Sequence, residues 1–139
     1  NKNVLSDRGV ILTIGSLKST WFPVRQNKPQ QFEIKGPKKV RLRSRILYDK
    51  SIEINDTTTY SYHLSVKEDG MDFATYYLTS RIPSQAKIKN FGIEEKTIGT
   101  WWTILFNVPT GNHVYTFSLP EHGINQDKSA LIRLKEWLD

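Results

Sequence analysis

Hydrophobic residues recur along the chain with a period of two rather than 3.6, which is typical of β-strands. The alternation is clearest between Lys39 and Tyr48. One face of this predicted strand is mainly apolar and comprises Val40, Leu42, Ser44, Ile46 and Tyr48. The other face comprises Lys39, Arg41, Arg43, Arg45 and Leu47. The pattern therefore predicts a strand with an apolar inner face and a basic outer face that no second sheet covers.

Glycine and proline divide the rest of the alternation into short segments. Asp69-Gly70 separates two alternating segments and predicts a β-hairpin, because this pair adopts positive φ at low cost. Gly36-Pro37 and the run Pro109–Asn112 are each predicted to be turns.

Two tryptophans lie next to each other at the start of a strand predicted over residues 100–108. Alternation places Trp102 on the inner face of that strand, with Ile104 and Phe106, and leaves Trp101 on the outer face. The last segment, residues 130–138, is predicted to be a strand, and a short helix is the alternative.

The spacing of these segments predicts the architecture. About nine to ten short strands, at intervals of about 8–15 residues and without a long helix, indicate an all-β antiparallel sandwich. A closed β-barrel is the alternative. The length of 139 residues suits a single domain spanning residues 1–139.

One segment bears a local resemblance to a known family. Residues 107–117 have the sequence NVPTGNHVYTF. This run resembles the V-P-x-G-x-x-x-Y-x-F hairpin of glycogen-binding β-sandwich modules. The resemblance implies a hairpin here and carries over no binding residue.

The composition argues against several kinds of chemistry. The chain contains no cysteine, so disulfides, thiol nucleophiles and cysteine-bound zinc are excluded. His63, His113 and His122 show no metal-ligand spacing, and neither a nucleophile elbow nor a glycine-rich phosphate loop is present. No apolar run approaches the roughly 18 residues of a membrane-spanning helix. We therefore expect a protein without a catalytic site, metal, cofactor or membrane span.

Charge supplies the first candidate site. Lys and Arg number 20 against 14 Asp and Glu, and a net charge of +6 favours anionic partners. Lys39, Arg41, Arg43 and Arg45 would form a row about 20 Å long, and arginine binds carboxylate, sulfate or phosphate groups. Two alternatives remain: the row pairs with acids on neighbouring strands, or it protects an edge strand.

Trp101 is the second candidate, as a contact for a sugar ring or a protein. The sequence thus predicts a noncatalytic module that binds a polysaccharide, anionic or neutral, or another anionic polymer. A structural or accessory subunit that acts through protein–protein interaction is the alternative. Nucleic acid is disfavoured, because the row of Lys39, Arg41, Arg43 and Arg45 lacks interleaved aromatic residues. The chain begins at Asn1 rather than Met, so it is either processed or trimmed. We take processing as an indication of export to the periplasm, the cell surface or the medium.

Overall fold

A computed structural model describes residues 2–4, 10–14, 17–26, 28–48, 60–80, 87–89, 97–98, 101–120 and 129–136. Within these ranges every regular element is a β-strand. The strands are β1 Lys2–Val4, β2 Val10–Ile14, β3 Leu17–Val24, β4 Gln30–Tyr48, β5 Tyr60–Glu68, β6 Met71–Ser80, β7 Lys87–Lys89, β8 Thr97–Ile98, β9 Trp102–Ser118 and β10 Ser129–Glu136.

The strands pair antiparallel along one path, in the order β6-β5-β9-β4-β10-β3-β2-β7. β1 and β8 also pair with β4. The prediction of an all-β antiparallel fold is confirmed. The closed barrel is wrong, because the strands at the two ends of this path, β6 and β7, do not pair with each other in the described residues.

β4 and β9 form a long ribbon at the centre of the sheet. Both predicted turns, Gly36-Pro37 and Pro109–Asn112, are wrong, because they lie inside these two strands and face each other. Gly36 pairs with Gly111 and Lys38 pairs with Val108, so β9 carries one extra residue, a β-bulge. The hairpin implied by the resemblance to glycogen-binding modules is therefore absent.

The bulge bends β9 and changes which residues point inward. Phe106 and Val108 are buried before it, and Tyr115 and Phe117 are buried after it. The ring centroids of Phe106 and Tyr115 are 5.2 Å apart. In a straight strand, residues nine positions apart would be separated by about 30 Å. The bend therefore folds the ribbon around the core.

The β5–β6 hairpin is the prediction that the structure confirms most fully. Asp69 and Gly70 have φ angles of 51° and 83°, so both central residues have the positive φ that a tight hairpin turn requires. The hairpin lies against the ribbon: the Tyr62 and Ser44 hydroxyls share a hydrogen bond of 2.9 Å. The Phe73 ring contacts that of Phe106, with centroids 5.7 Å apart.

The core confirms most of the predicted inner faces. Its buried members are Val24, Phe32, Ile34, Val40, Leu42, Ile46, Tyr62, Leu64, Val66, Leu78, Phe106, Val108, Tyr115, Phe117, Leu119, Ala130, Ile132 and Leu134. Trp102 is an exception to the predicted pattern, since 44% of it is exposed and its indole N–H donates to the carbonyl of Thr79 at 2.6 Å. The side chain of Tyr48 lies outside the described residues.

The last predicted strand is confirmed as β10, so the helical alternative is wrong. β10 lies between β4 and β3 and is buried along its first half. Residues 137–138 lie outside the described ranges. No helical segment in the described part of the chain has the length and hydropathy needed to cross a bilayer.

Candidate functional site

The pairing of β4 with β10 enlarges the predicted basic row. Arg133 lies directly opposite Arg43, and Lys135 lies opposite Arg41. Periodicity alone did not single out these two β10 residues as site candidates, although they share the outward face of that strand with Leu131. Their pairing with β4 is a long-range contact that periodicity does not reveal. We name the resulting surface the basic face and define it by Lys39, Arg41, Arg43, Arg133 and Lys135.

Positive charges on the basic face lie opposite one another. Directly opposed like charges on neighbouring strands destabilise a sheet. The pKa of Arg43 is lowered, first by burial and then by the charges of Arg41 and Arg133. On its other side Arg43 lies opposite Thr103 of β9, and its buried Nε has no hydrogen-bond partner in the described residues. Neither strand next to Arg43 thus places a carboxylate opposite it.

Exposure changes along the predicted row. Lys39 and Lys135 are exposed, whereas Arg41, Arg43 and Arg133 are half-buried. Arg45 is only 2% exposed. The prediction that the outer face is uncovered is therefore wrong at its Arg45 end, and a ligand on this surface would meet the other cations first.

Aromatic rings surround Arg45. Its guanidinium carbon lies 5.6 Å from the ring centroid of Trp21 and 5.0 Å from that of Trp101. The guanidinium carbon of Arg43 is 5.1 Å from the same Trp101 ring. These distances fall within the range of cation–π attraction. Burial lowers the pKa of Arg45 to about 10, so the group is still charged at neutral pH.

Trp101 thus connects the two features that the sequence singled out separately. The side chain of Trp101 is 44% exposed. Its ring is in contact with two guanidinium groups, which reduces the area on which a sugar ring can stack. Trp101 therefore forms the boundary between the open basic face and the buried Arg45.

A second polar cluster joins the β5–β6 turn to β9. His113 Nδ1 donates to Asp69 Oδ2 at 2.6 Å, and His113 Nε2 lies 3.0 Å from the carbonyl oxygen of Thr110. Both partners are acceptors, so the imidazole can donate both hydrogen bonds only in its doubly protonated, positively charged form. The hydrogen bond to Asp69 raises the pKa of His113, and the hydrogen bond to the Thr110 carbonyl raises it further. The Val114 N–H donates to Asp69 Oδ1 at 2.9 Å.

The same cluster has the residue types of a metal site. Potential ligand atoms of Glu68, Asp69 and His113 lie within 4.8 Å of one another. However, both imidazole nitrogens are engaged in hydrogen bonds, and the Tyr115 hydroxyl donates to Glu68. The cluster is therefore a hydrogen-bonded ion pair that fixes the turn. These hydrogen bonds occupy atoms that a cation would need as ligands.

His63 contacts the ring of Tyr77, with centroids 4.3 Å apart, and His122 lies outside the described residues.

No model of a known protein family matches this chain, and no curated protein shows significant similarity to it.

Proposed function

We propose that the protein is a noncatalytic module that binds an anionic polysaccharide on its basic face. The observation that carries the proposal is the facing pair of Arg43 and Arg133, which has Arg41 and Lys135 beside it. A bound sulfate or carboxylate group placed between these side chains replaces repulsion with two charge-assisted hydrogen-bonding partners. Such a surface favours a ligand that carries repeated negative charge.

The position of the basic face in the sheet favours polysaccharide over nucleic acid. β4 and β10 are interior strands flanked by β9 and β3, so they are not a free two-stranded ribbon that enters a DNA groove. Single strands need exposed aromatic rings among the cations. Trp101 is the aromatic side chain at the edge of this face, and its ring already contacts Arg43 and Arg45. The same contacts disfavour a neutral polysaccharide.

The absence of catalysis is part of the proposal. In the Asp69–His113 pair, which has the residue types of a general base and its partner, both imidazole nitrogens are engaged in hydrogen bonds. A two-layer sandwich is also proposed, with the β5–β6 hairpin facing the central ribbon. The contacts of Tyr62 with Ser44 and of Phe73 with Phe106 support it. Export is proposed as well, because it would bring the basic face to extracellular polysaccharides.

Affinity electrophoresis tests the proposal directly. We expect polygalacturonate and dextran sulfate in the gel to retard the protein and uncharged dextran to leave its mobility unchanged. Replacement of Arg41, Arg43 and Arg133 by serine should abolish the retardation. The matched control replaces the exposed Lys28, Lys35 and Lys67 by serine, which removes the same charge elsewhere. Equal retardation of both variants would overturn the proposal.

The edge strand β6 favours a second candidate function, that of an accessory subunit. β6 lies at one end of the described sheet, and its sequence MDFATYYLTS has no lysine, arginine or proline to discourage pairing with another chain. Met71 and Tyr77 on this strand are each 73% exposed. If this function holds, the protein should form oligomers at micromolar concentration in size-exclusion chromatography, and Thr75→Lys on the same strand should abolish them.

A further inference from the structure

The cations of the basic face form two parallel rows. Lys39, Arg41 and Arg43 follow one another on β4, and Lys135 and Arg133 lie beside the last two on β10. Side chains on one face of a strand repeat every 6.6–7 Å or so, whereas neighbouring strands are only about 5 Å apart. The basic face is therefore longer along the strands than across them.

Uncharged side chains lie along the β9 side of the two rows. Asn107, Leu105 and Thr103 lie opposite Lys39, Arg41 and Arg43 in the pairing of β9 with β4. A ligand chain that ran across the sheet would therefore meet one pair of cations and then leave the charged area. A chain that ran along β4 and β10 would contact all five.

One end of the rows is closed. Beyond Arg43, the next outward positions on β4, β10 and β3 are occupied by Arg45, Leu131 and Pro23, which are all buried. Trp101 lies at this boundary, in contact with Arg43 and Arg45. The open length, from Lys39 to Arg43, covers four residue steps or about 13 Å.

We propose that the basic face binds one linear polyanionic polysaccharide lengthwise along β4 and β10, an inference that rests on the proposed function. The bound stretch carries at least three anionic groups over about 13 Å. It faces the Arg43–Arg133 pair, the Arg41–Lys135 pair and Lys39 in turn. Oligosaccharides with fewer anionic groups leave at least one of these positions without an anion and bind more weakly.

A length series of oligogalacturonates tests this inference, because each sugar carries one carboxylate. Titration calorimetry at low salt should show affinity for the tetramer and hexamer at least about tenfold above that for the dimer. Further lengthening should add little. Polygalacturonate binding together with equal affinities for the dimer and hexamer would overturn the lengthwise site and leave the proposed function standing. Failure of every polyanion to bind would overturn both, and tighter binding of oligothymidylate would overturn the choice of polysaccharide.

The orientation has its own test in paired variants. Replacing Arg133 and Lys135 by serine removes the β10 row and should weaken hexamer binding by about tenfold or more. The Lys28→Ser, Lys67→Ser variant is the matched control and should bind like the unmodified protein. A hexamer affinity that is unchanged in the β10 variant would overturn the two-row site. Circular dichroism and thermal unfolding of each variant show whether it is folded.

Discussion

Arg43 and Arg45 occupy adjacent outward positions on one strand, yet their surroundings assign them different roles. Both contact Trp101, but Arg45 is also covered by Trp21 and is 2% exposed. Arg43 is half-buried and lies opposite Arg133. The aliphatic part of a buried arginine contributes packing as well as charge. Arg45 therefore supports the structure, whereas Arg43 belongs to the basic face, where we propose that the ligand binds.

This difference predicts opposite responses to the same substitution. Arg45→Ser removes the side chain between two indole rings and should lower the free energy of unfolding by about 1–3 kcal/mol. Arg43→Ser loses one ring contact but also relieves repulsion with Arg41 and Arg133. It should therefore change the free energy of unfolding by less than about 0.5 kcal/mol. Urea unfolding of the two variants measures both values. A greater loss of stability for Arg43→Ser would contradict these roles.

The Asp69–His113 pair predicts a pH dependence of stability. The folded-state pKa of His113 is raised above its ordinary value of 6.5, mainly by the hydrogen bond to Asp69. The contribution of His113 to the stability of the folded state is therefore complete below pH 6.5 and is lost as the pH rises through the raised pKa. The pKa of Asp69 is lowered below 3.8, mainly by His113 and the Val114 N–H, so its contribution is lost only as the pH falls through that lowered pKa.

His113→Gln provides the measurement. The melting temperature of the unmodified protein should exceed that of the variant most clearly between about pH 4 and 6.5, and the difference should shrink in more alkaline buffer. A difference that grows as the pH rises from 6.5 would show that the neutral imidazole is the stabilising form. Asp69→Asn keeps a residue that is suited to the turn. Above pH 6.5, the melting temperature of this variant should likewise lose the pH dependence that His113 confers.

At the level of elements, the bend at the bulge in the β4–β9 ribbon folds the two strands around the core. Gly36 is buried there because the backbone of Pro109 leaves no room for a side chain. A Cβ at Gly36 would lie 1.8 Å from the Pro109 carbonyl oxygen. Since that obstacle is backbone rather than a flexible side chain, the two strands would have to separate.

Gly36→Ala should therefore lower the free energy of unfolding by about 3 kcal/mol or more. Gly70→Ala is the comparison, because a Cβ there meets nothing within 4 Å and only the φ of +83° is unfavourable. We expect a loss of about 1 kcal/mol for Gly70→Ala. Thermal or urea unfolding gives the ranking, and similar losses at the two glycines would contradict the close approach at the bend.

Elements that depend on local chemistry could be predicted from the sequence, and those that depend on distant contacts could not. Asp69-Gly70 determines its own turn, so the β5–β6 hairpin was predictable. The Gly36-Pro37 dipeptide is also typical of a turn, but Gly36 pairs with Gly111, and the dipeptide is part of a bent strand. The burial of Arg45 and the arrival of Arg133 beside Arg43 also depend on strand order, which alternation alone does not contain.

At the level of the whole molecule, the net charge of +6 matters because part of it is concentrated on one surface. Five cations lie along β4 and β10, and opposed like charges there raise the energy of the unliganded protein. A polyanion bound to the basic face would relieve that repulsion and release its own counterions. The proposed binding should therefore depend strongly on salt concentration.

The salt dependence of binding to dextran sulfate distinguishes a polyanion site on the basic face from other modes of binding. Affinity of the unmodified protein should fall by about tenfold or more between about 50 and 200 mM salt. The variant with serine at Arg41, Arg43 and Arg133 should bind weakly with a much shallower dependence, and the variant with serine at Lys28, Lys35 and Lys67 should retain most of the slope. Binding that is insensitive to salt, or equally reduced in the two variants of equal charge, would contradict a polyanion site on the basic face.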